Sequence, residues 1–282
     1  MADTKLTYSD AVIMKALLSK DFSLIGGAFE DSELTAIKKC AFQGAGATLT
    51  KLVLPSITAI PSGALRDCTG LTTLDITWGE ILTMGGDALR GARLPNGALT
   101  LSKLSSMGDG VFAGCTQLTS FSAPLMTSSG GTDATYGTAQ QGVFRDCTGL
   151  TTVNLPSLRT TSQYFFRCCT NLTSVTFTGL TQIGGFTFQN CTGLTKLKFP
   201  AAVTNISGNA FNGCTNLTAV IFPNITSVPS ATTASFTGSP ILNGTCYVYV
   251  PESLLASVKS ASNWTAISDM IRACEDYPEI CA

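Results

Sequence analysis

Residues 166–194 read FRCCTNLTSVTFTGLTQIGGFTFQNCTGL, and this stretch decides the fold. It opens and closes on the same phrase: a phenylalanine, two spacers, a cysteine, a threonine and, one residue on, a leucine. Cys169 and Cys191 stand 22 residues apart, and Cys214 follows 23 later. A fixed period in this range is the signature of a stacked-repeat solenoid. Strong copies occur at Phe112-Ala-Gly-Cys115, Phe144-Arg-Asp-Cys147 and Phe211-Asn-Gly-Cys214. Weaker ones are Phe42-Gln-Gly-Ala45, Leu65-Arg-Asp-Cys68, Leu89-Arg-Gly-Ala92 and Phe236-Thr-Gly-Ser239, and Phe29-Glu-Asp-Ser32 reads as a truncated first one.

Within one period, Val175 and Phe177 alternate with Ser174 and Thr176, which predicts a short strand. Thr178-Gly179 is a turn, Leu180 and Ile183 point back inside, and Gly184-Gly185 is expected to permit a tight bend. No window is long enough for a standard helix, so the second half of each coil should be extended or 3₁₀. One coil cannot bury its own apolar edge, so neighbouring coils must stack and their strands pair in parallel. At about 4.8 Å per strand, nine or ten of them make a sheet roughly 45 Å long.

Cys115 and Cys147 are 32 residues apart, and the extra residues map to Thr127–Ala139, a Gly/Ser/Thr-rich segment with one aromatic, Tyr136. It is expected to be a surface loop. A smaller insertion falls near Trp78-Gly-Glu80. The ends differ from the middle. Tyr8–Lys20 has the spacing of an amphipathic helix behind a Ser9 cap. Tyr247–Val250 reads as a last strand, Pro251 starts a helix over ESLLASVKSA, and a further segment runs over Thr265–Asp276. The expected organisation is an N-terminal cap over 1–33, a solenoid of about nine repeats over 34–250 and a helical cap over 251–282.

Charged residues make up only 12% of the 282, with a net charge of −1. This balance gives no reason to expect nucleic acid or anionic lipid as a partner. No apolar run is long enough to insert in a membrane, and the first residues do not read as a signal peptide. Most of the eleven cysteines hold one repeated point, where Ala45, Ala92 and Ser239 also stand. They are therefore read as small apolar packing residues. Cys168 is read as a spacer, and Cys274 and Cys281 are close enough in sequence to pair under oxidising conditions. The chain contains no histidine, which removes the commonest general base and metal ligand. Gly44-Ala-Gly46 and Gly108-Asp-Gly110 read as turn glycines, and the acids are scattered. No catalytic residue, cofactor or metal site is expected, and the chain is not read as an enzyme.

The phrases FRDCTGLTTVNLPSL (144–158), FQNCTGLTKLKFPAAVTNI (188–206) and FNGCTNLTAVIFPNITSV (211–228) resemble the BspA-like leucine-rich repeat family, also called the Treponema pallidum type. The ending CYVYVPESLLASVKSASNWTAISDMI (246–271) is similar to the tail that often closes such arrays. The resemblance implies an α/β repeat solenoid: a right-handed array with short parallel strands on a concave face, little helix within repeats and helical caps. It also implies a surface protein that binds a protein or glycan partner on another cell. The chain departs from the family in showing no export signal or wall anchor. That keeps a second reading open, a structural or receptor-binding component of a phage particle, with homo-oligomer or particle assembly as its partners.

If the strands line the binding face, their outward residues include Thr152 and Asn154, Ser174 and Thr176, Lys196 and Lys198, and Ala219 and Ile221. The lysine pair is the one local charge cluster among them, and Ile221 is expected to be its exposed apolar neighbour. Interface hot spots favour Trp, Tyr and Arg, and these positions hold none. Tyr136 in the loop, or Trp264, Tyr247 and Tyr249 in the cap, are the aromatic alternatives.

Overall fold

A computed structural model describes residues 27–30, 36–43, 45–94, 97–130 and 142–282. The expected helix at Tyr8–Lys20 and residues 131–139 of the Thr127–Ala139 insertion, Tyr136 included, lie outside the described residues.

Each coil contributes a three-to-five-residue strand to a first face, and seven of them a two-residue strand to a second; the coil of Thr152–Asn154 has only an isolated bridge there, Thr160 to Gln182. The first face is built from three parallel sheets. Gly27–Glu30, Leu49–Val53 and Thr73–Asp75 form one, and Ala98–Thr100, Ser120–Ser122, Thr152–Asn154 and Ser174–Thr176 the next. Lys196–Lys198, Ala219–Ile221, Tyr247–Val250 and Ile271–Ala273 form the third. The second face holds Ala59–Ile60, Thr83–Met84, Ser106–Met107 and Ser128–Ser129 in one ladder, and Gln182–Ile183, Asn205–Ile206 and Ser230–Ala231 in another. The continuous sheet predicted from the period is thus interrupted at two coil boundaries. At one of them, strand 174–176 is followed by Phe177-Thr178, where six other first-face segments place a proline after the equivalent apolar residue. Phe177 makes no ladder bond to the coil beyond, whereas Leu155 reaches Thr176 O at 3.0 Å and Phe199 reaches Ile221 O at 2.8 Å.

The core is one apolar cluster running through the stack. The anchors Phe42, Leu65, Leu89, Phe112, Phe144, Phe166, Phe188 and Phe211 are all fully buried. From coil to coil their rings stack: Phe112 on Phe144 and Phe144 on Phe166 at 5.5 Å, and Phe166 on Phe188 at 5.7 Å. Ala45, Ala92 and Ser239 are buried where other coils have cysteine.

The cysteine column does more than fill space. Each thiol donates to the backbone carbonyl of the preceding coil's anchor: Cys147 Sγ to Phe112 O at 2.9 Å, Cys169 to Phe144 O and Cys191 to Phe166 O at 3.0 Å, and Cys214 to Phe188 O at 2.9 Å. The described residue just before each core cysteine, or its substitute, has a left-handed backbone, as at Asp67, Gly91, Gly114, Asp146, Asn190, Gly213 and Gly238. Gly, Asn and Asp are the residues that adopt it most readily. Cys168 sits in this column with φ +60°, so its position is a conformational one.

The chain turns at Gly185, as expected of the Gly184-Gly185 pair, but neither glycine has a left-handed backbone. A Cβ on Gly184 would lie 2.4 Å from Thr161 O. Glycine is there to let two backbones approach.

The C-terminal segment also departs from expectation. Glu252–Ser260 is the predicted helix (α1), but Thr265–Met270 is 3₁₀ and Ile271–Ala273 is a strand. That strand pairs in parallel with Tyr247–Val250, Val248 facing Ile271. It covers an edge whose N–H and C=O groups would otherwise be unpaired. A four-residue helix, Pro278–Cys281 (α2), follows. Ser128–Ser129, expected within the surface loop, is a strand paired with Ser106–Met107.

Candidate binding face

The outward positions of the first face form two rows running along the solenoid. Parallel register places Thr152 beside Ser174 and Asn154 beside Thr176, and likewise Lys196 beside Ala219 and Lys198 beside Ile221. The inward residue of each trio is buried at Val153 and Leu197 and half-buried at Val175, next to the sheet break. The predicted site therefore falls into two parts. Thr152, Asn154, Ser174 and Thr176 share the middle sheet. Lys196 and Lys198 belong to the C-terminal one.

Hydroxyls on this face divide by whether the backbone already uses them. Before several strands the preceding threonine donates to the coil behind: Thr151 to Thr119 O at 2.9 Å, Thr173 to Thr151 O at 3.1 Å and Thr218 to Thr195 O at 3.0 Å. This explains the recurrent Leu-Thr without invoking a ligand. Thr152, Ser174 and Thr176 are exposed and make no side-chain hydrogen bond among the described residues. Asn154 Nδ2 donates to Ser122 Oγ at 3.3 Å. Lys196 and Lys198 are exposed, with no ion pair among the described residues.

Three expectations are corrected. Ile221 is only 2% exposed, because it packs with Ala219, Tyr249, Cys274 and Cys281 beneath the cap. Trp264 is buried at 1%, donating Nε1 to Pro229 O at 2.9 Å and packing on Phe236 at 5.1 Å. Tyr249 is 4% exposed, wedged against Tyr277. None of the three is accessible to a partner. The apolar exposure predicted for Ile221 fails because two further strands, 247–250 and 271–273, extend the sheet past it.

The same extension adds one expected residue and one that the repeat pattern did not reveal. Tyr247, among the aromatic alternatives in the cap, stands in register with Ala219 and is 37% exposed. Arg272, in register with Tyr249, lies over the Tyr247 ring at 4.6 Å. The C-terminal end of the face thus carries, beside two lysines, a tyrosine and an arginine, residue types from which interface anchors are drawn. Arg272 was invisible as a candidate because its segment was read as helix.

Among the described residues no group of three or more His, Cys, Asp or Glu side chains could hold a metal ion. No helix among them is long and apolar enough to cross a membrane. Cys274 and Cys281 lie together as free thiols, and burial is the main cause that pushes Cys274 up to about 12.

Solved structures with related folds include a leucine rich cell surface protein from Faecalibacterium prausnitzii, 20% identical, with a TM-score of 0.46 over 84% of this chain and 67% of that one. A leucine-rich repeat protein from Eubacterium ventriosum is 16% identical, with a TM-score of 0.48 over 76% of this chain and 77% of its own. An internalin from Listeria monocytogenes is 12% identical, with a TM-score of 0.29 and 94% of both chains covered. No curated protein matches the sequence. The model of the BspA type leucine rich repeat region matches in six copies over residues 35–140 and 132–243. With the repeat phrase, the parallel-strand coils and that match spanning most of its length, the chain belongs to the BspA type leucine-rich repeat family.

Proposed function

We propose that this chain is a non-enzymatic adhesion module that recognises a protein or glycan on another cell through its first face. The observation that carries this reading is the pairing of a rigid parallel sheet with unengaged polar side chains. Thr152, Ser174 and Thr176 offer hydroxyls that no backbone group uses. Lys196, Lys198 and the Arg272–Tyr247 pair supply cationic and aromatic contacts at the C-terminal end. Side chains held on a packed sheet lose little freedom when a partner docks, which favours affinity.

The test is saturable binding of the labelled chain to intact host and bacterial cells, with Lys196→Glu/Lys198→Glu as the comparison. Binding that the double variant loses supports both the function and the face. Binding that survives in the variant moves the site elsewhere on the solenoid. A chain that binds no cell but copurifies with particles is a particle component instead.

A further inference from the structure

The corner that leads into each core cysteine carries two adjoining columns of side chains, away from the first-face row. One column is the residue after each anchor: Arg66, Arg90, Ala113, Arg145 and Arg167 in successive coils. The other stands two residues before the anchor: Gly63, Asp87, Gly110, Gly142 and Tyr164. The columns touch. Asp87, 1% exposed, takes Arg66 Nη1 at 3.3 Å and Arg90 Nη1 at 3.5 Å. Arg167 lies over the Tyr164 ring at 5.3 Å.

Arg145 is the exception among these arginines. Its coil has Gly142 at the facing position, and a Cβ there would collide with the backbone oxygen of Tyr164. Its Nε reaches Asp146 at 3.1 Å, and its terminal nitrogens have no partner among the described residues. Beside it the arginine column skips a rung, at Ala113. The gap is a cavity of about 170 Å³ with Gly91, Ala113 and Gly114 as its floor and Arg90 and Arg145 on its flanks. At about 4.8 Å per coil, the two flanking arginines are about 10 Å apart, which leaves room for one carboxylate beside Arg145. Asp67 and Asp146 at the ends of the cavity are already paired, with Arg66 at 3.4 Å and Arg145 at 3.1 Å.

A second observation points to the same corner. Tyr164 and Phe186 stack at 4.9 Å, and both have left-handed backbones, φ +58° and +56°. That conformation costs an L residue about 1–2 kcal/mol, and at this position other coils use Gly63, Asp87, Gly110 and Asn209. Bulky aromatics kept in strained backbone, with the Arg167 guanidinium over one of them, are features that concentrate at binding sites.

We propose that this corner binds an acidic protein segment. One Asp or Glu carboxylate enters the gap over Ala113 between Arg90 and Arg145, and accepts two hydrogen bonds from the terminal nitrogens of Arg145. The residues beside it lie on the Tyr164–Phe186 stack. Because this corner and the first face share no residue, either site can fail without the other.

The test uses fluorescence anisotropy of the full chain with a labelled peptide of four glutamates and one tyrosine, and with its glutamine counterpart. The glutamate peptide should bind roughly tenfold more tightly, the worth of one charge-assisted pair. Ala113→Arg restores the missing rung and adds a positive charge. General attraction between charges predicts tighter binding by this variant, whereas a filled gap predicts a loss of roughly tenfold. Arg145→Gln should lose a similar factor. Four coils already carry arginine in this column, and melting curves establish that both variants fold. Equal binding of the two peptides, no binding of either, or undiminished binding by Ala113→Arg or by Arg145→Gln overturns the proposal.

Discussion

The six thiols of the core column are hydrogen-bond donors in an apolar interior, and this fixes how they respond to pH. Burial raises Cys68, Cys115 and Cys214 from 9.0 to about 12, and Cys147, Cys169 and Cys191 well above 9.0. The folded state therefore keeps protons that the unfolded chain releases. Their contribution to stability is complete below about pH 8 and is lost as pH rises through 9 toward 12. The loss is about 1.4 kcal/mol per pH unit for each thiol. Urea unfolding at pH 6, 7 and 10 should give equal midpoints at the first two and a clearly lower one at pH 10, and a flat profile would mean that the thiols are hydrated. The column was legible in the sequence because the cysteines recur at one point, and Ala45 and Ala92 marked it as a packing site. Its donor role was not legible, because alanine and serine there suggested size alone. The left-handed role of Cys168 could have been read from its equivalents, since Asp67, Gly91, Gly114, Asp146, Asn190, Gly213 and Gly238 are all residues that tolerate positive φ.

At the level of the coil, the alternation at Ser174–Thr176 correctly located the first strand, and Ile183 correctly marked an extended second half. Period-2 patterning reports which side chains turn inward, and it carries no information on where the ladder between coils breaks. Hence the interruption after 174–176 went unseen. The Gly184-Gly185 pair shows the same limit: glycine announces a special backbone need without saying which. Here the need is proximity, and it separates two substitutions that look alike in the sequence. Gly184→Ala places a methyl 2.4 Å from Thr161 O, a backbone atom that moves only if two coils separate. The expected loss is about 3 kcal/mol, the upper range of overpacking. Gly46 has φ +48° and nothing within 4 Å of an added Cβ, so Gly46→Ala meets only the conformational cost, about 1 kcal/mol. Chemical denaturation at unchanged slope is the comparison. A Gly184→Ala midpoint no lower than that of Gly46→Ala would show that the coils are looser than the geometry implies.

Over the whole molecule, a solenoid is stabilised by neighbours, so its ends need cover that the middle does not. The sequence placed a helical cap after Val250, and ESLLASVKSA is helical as read, but the segment beyond Trp264 gave no sign of a strand. The requirement that decided otherwise lies in another segment. The free edge of Tyr247–Val250 needs hydrogen-bond partners, and Ile271–Ala273 supplies them. α1 and the 3₁₀ turn are the connection that returns the chain in parallel, with Val258 and Ile267 buried beneath them. A chain ending at Val250 would lose that strand, uncover Ile221 and Tyr249, and remove Trp264 from Phe236. It would then present a long open edge beside an apolar patch, the combination that favours edge-to-edge association. Size-exclusion chromatography with light scattering should find the truncated chain self-associating with rising concentration where the full chain does not. A truncated chain that stays monomeric and keeps the full chain's melting temperature would mean that the last repeats hold themselves together, and that residues 251–282 serve the binding face rather than the fold.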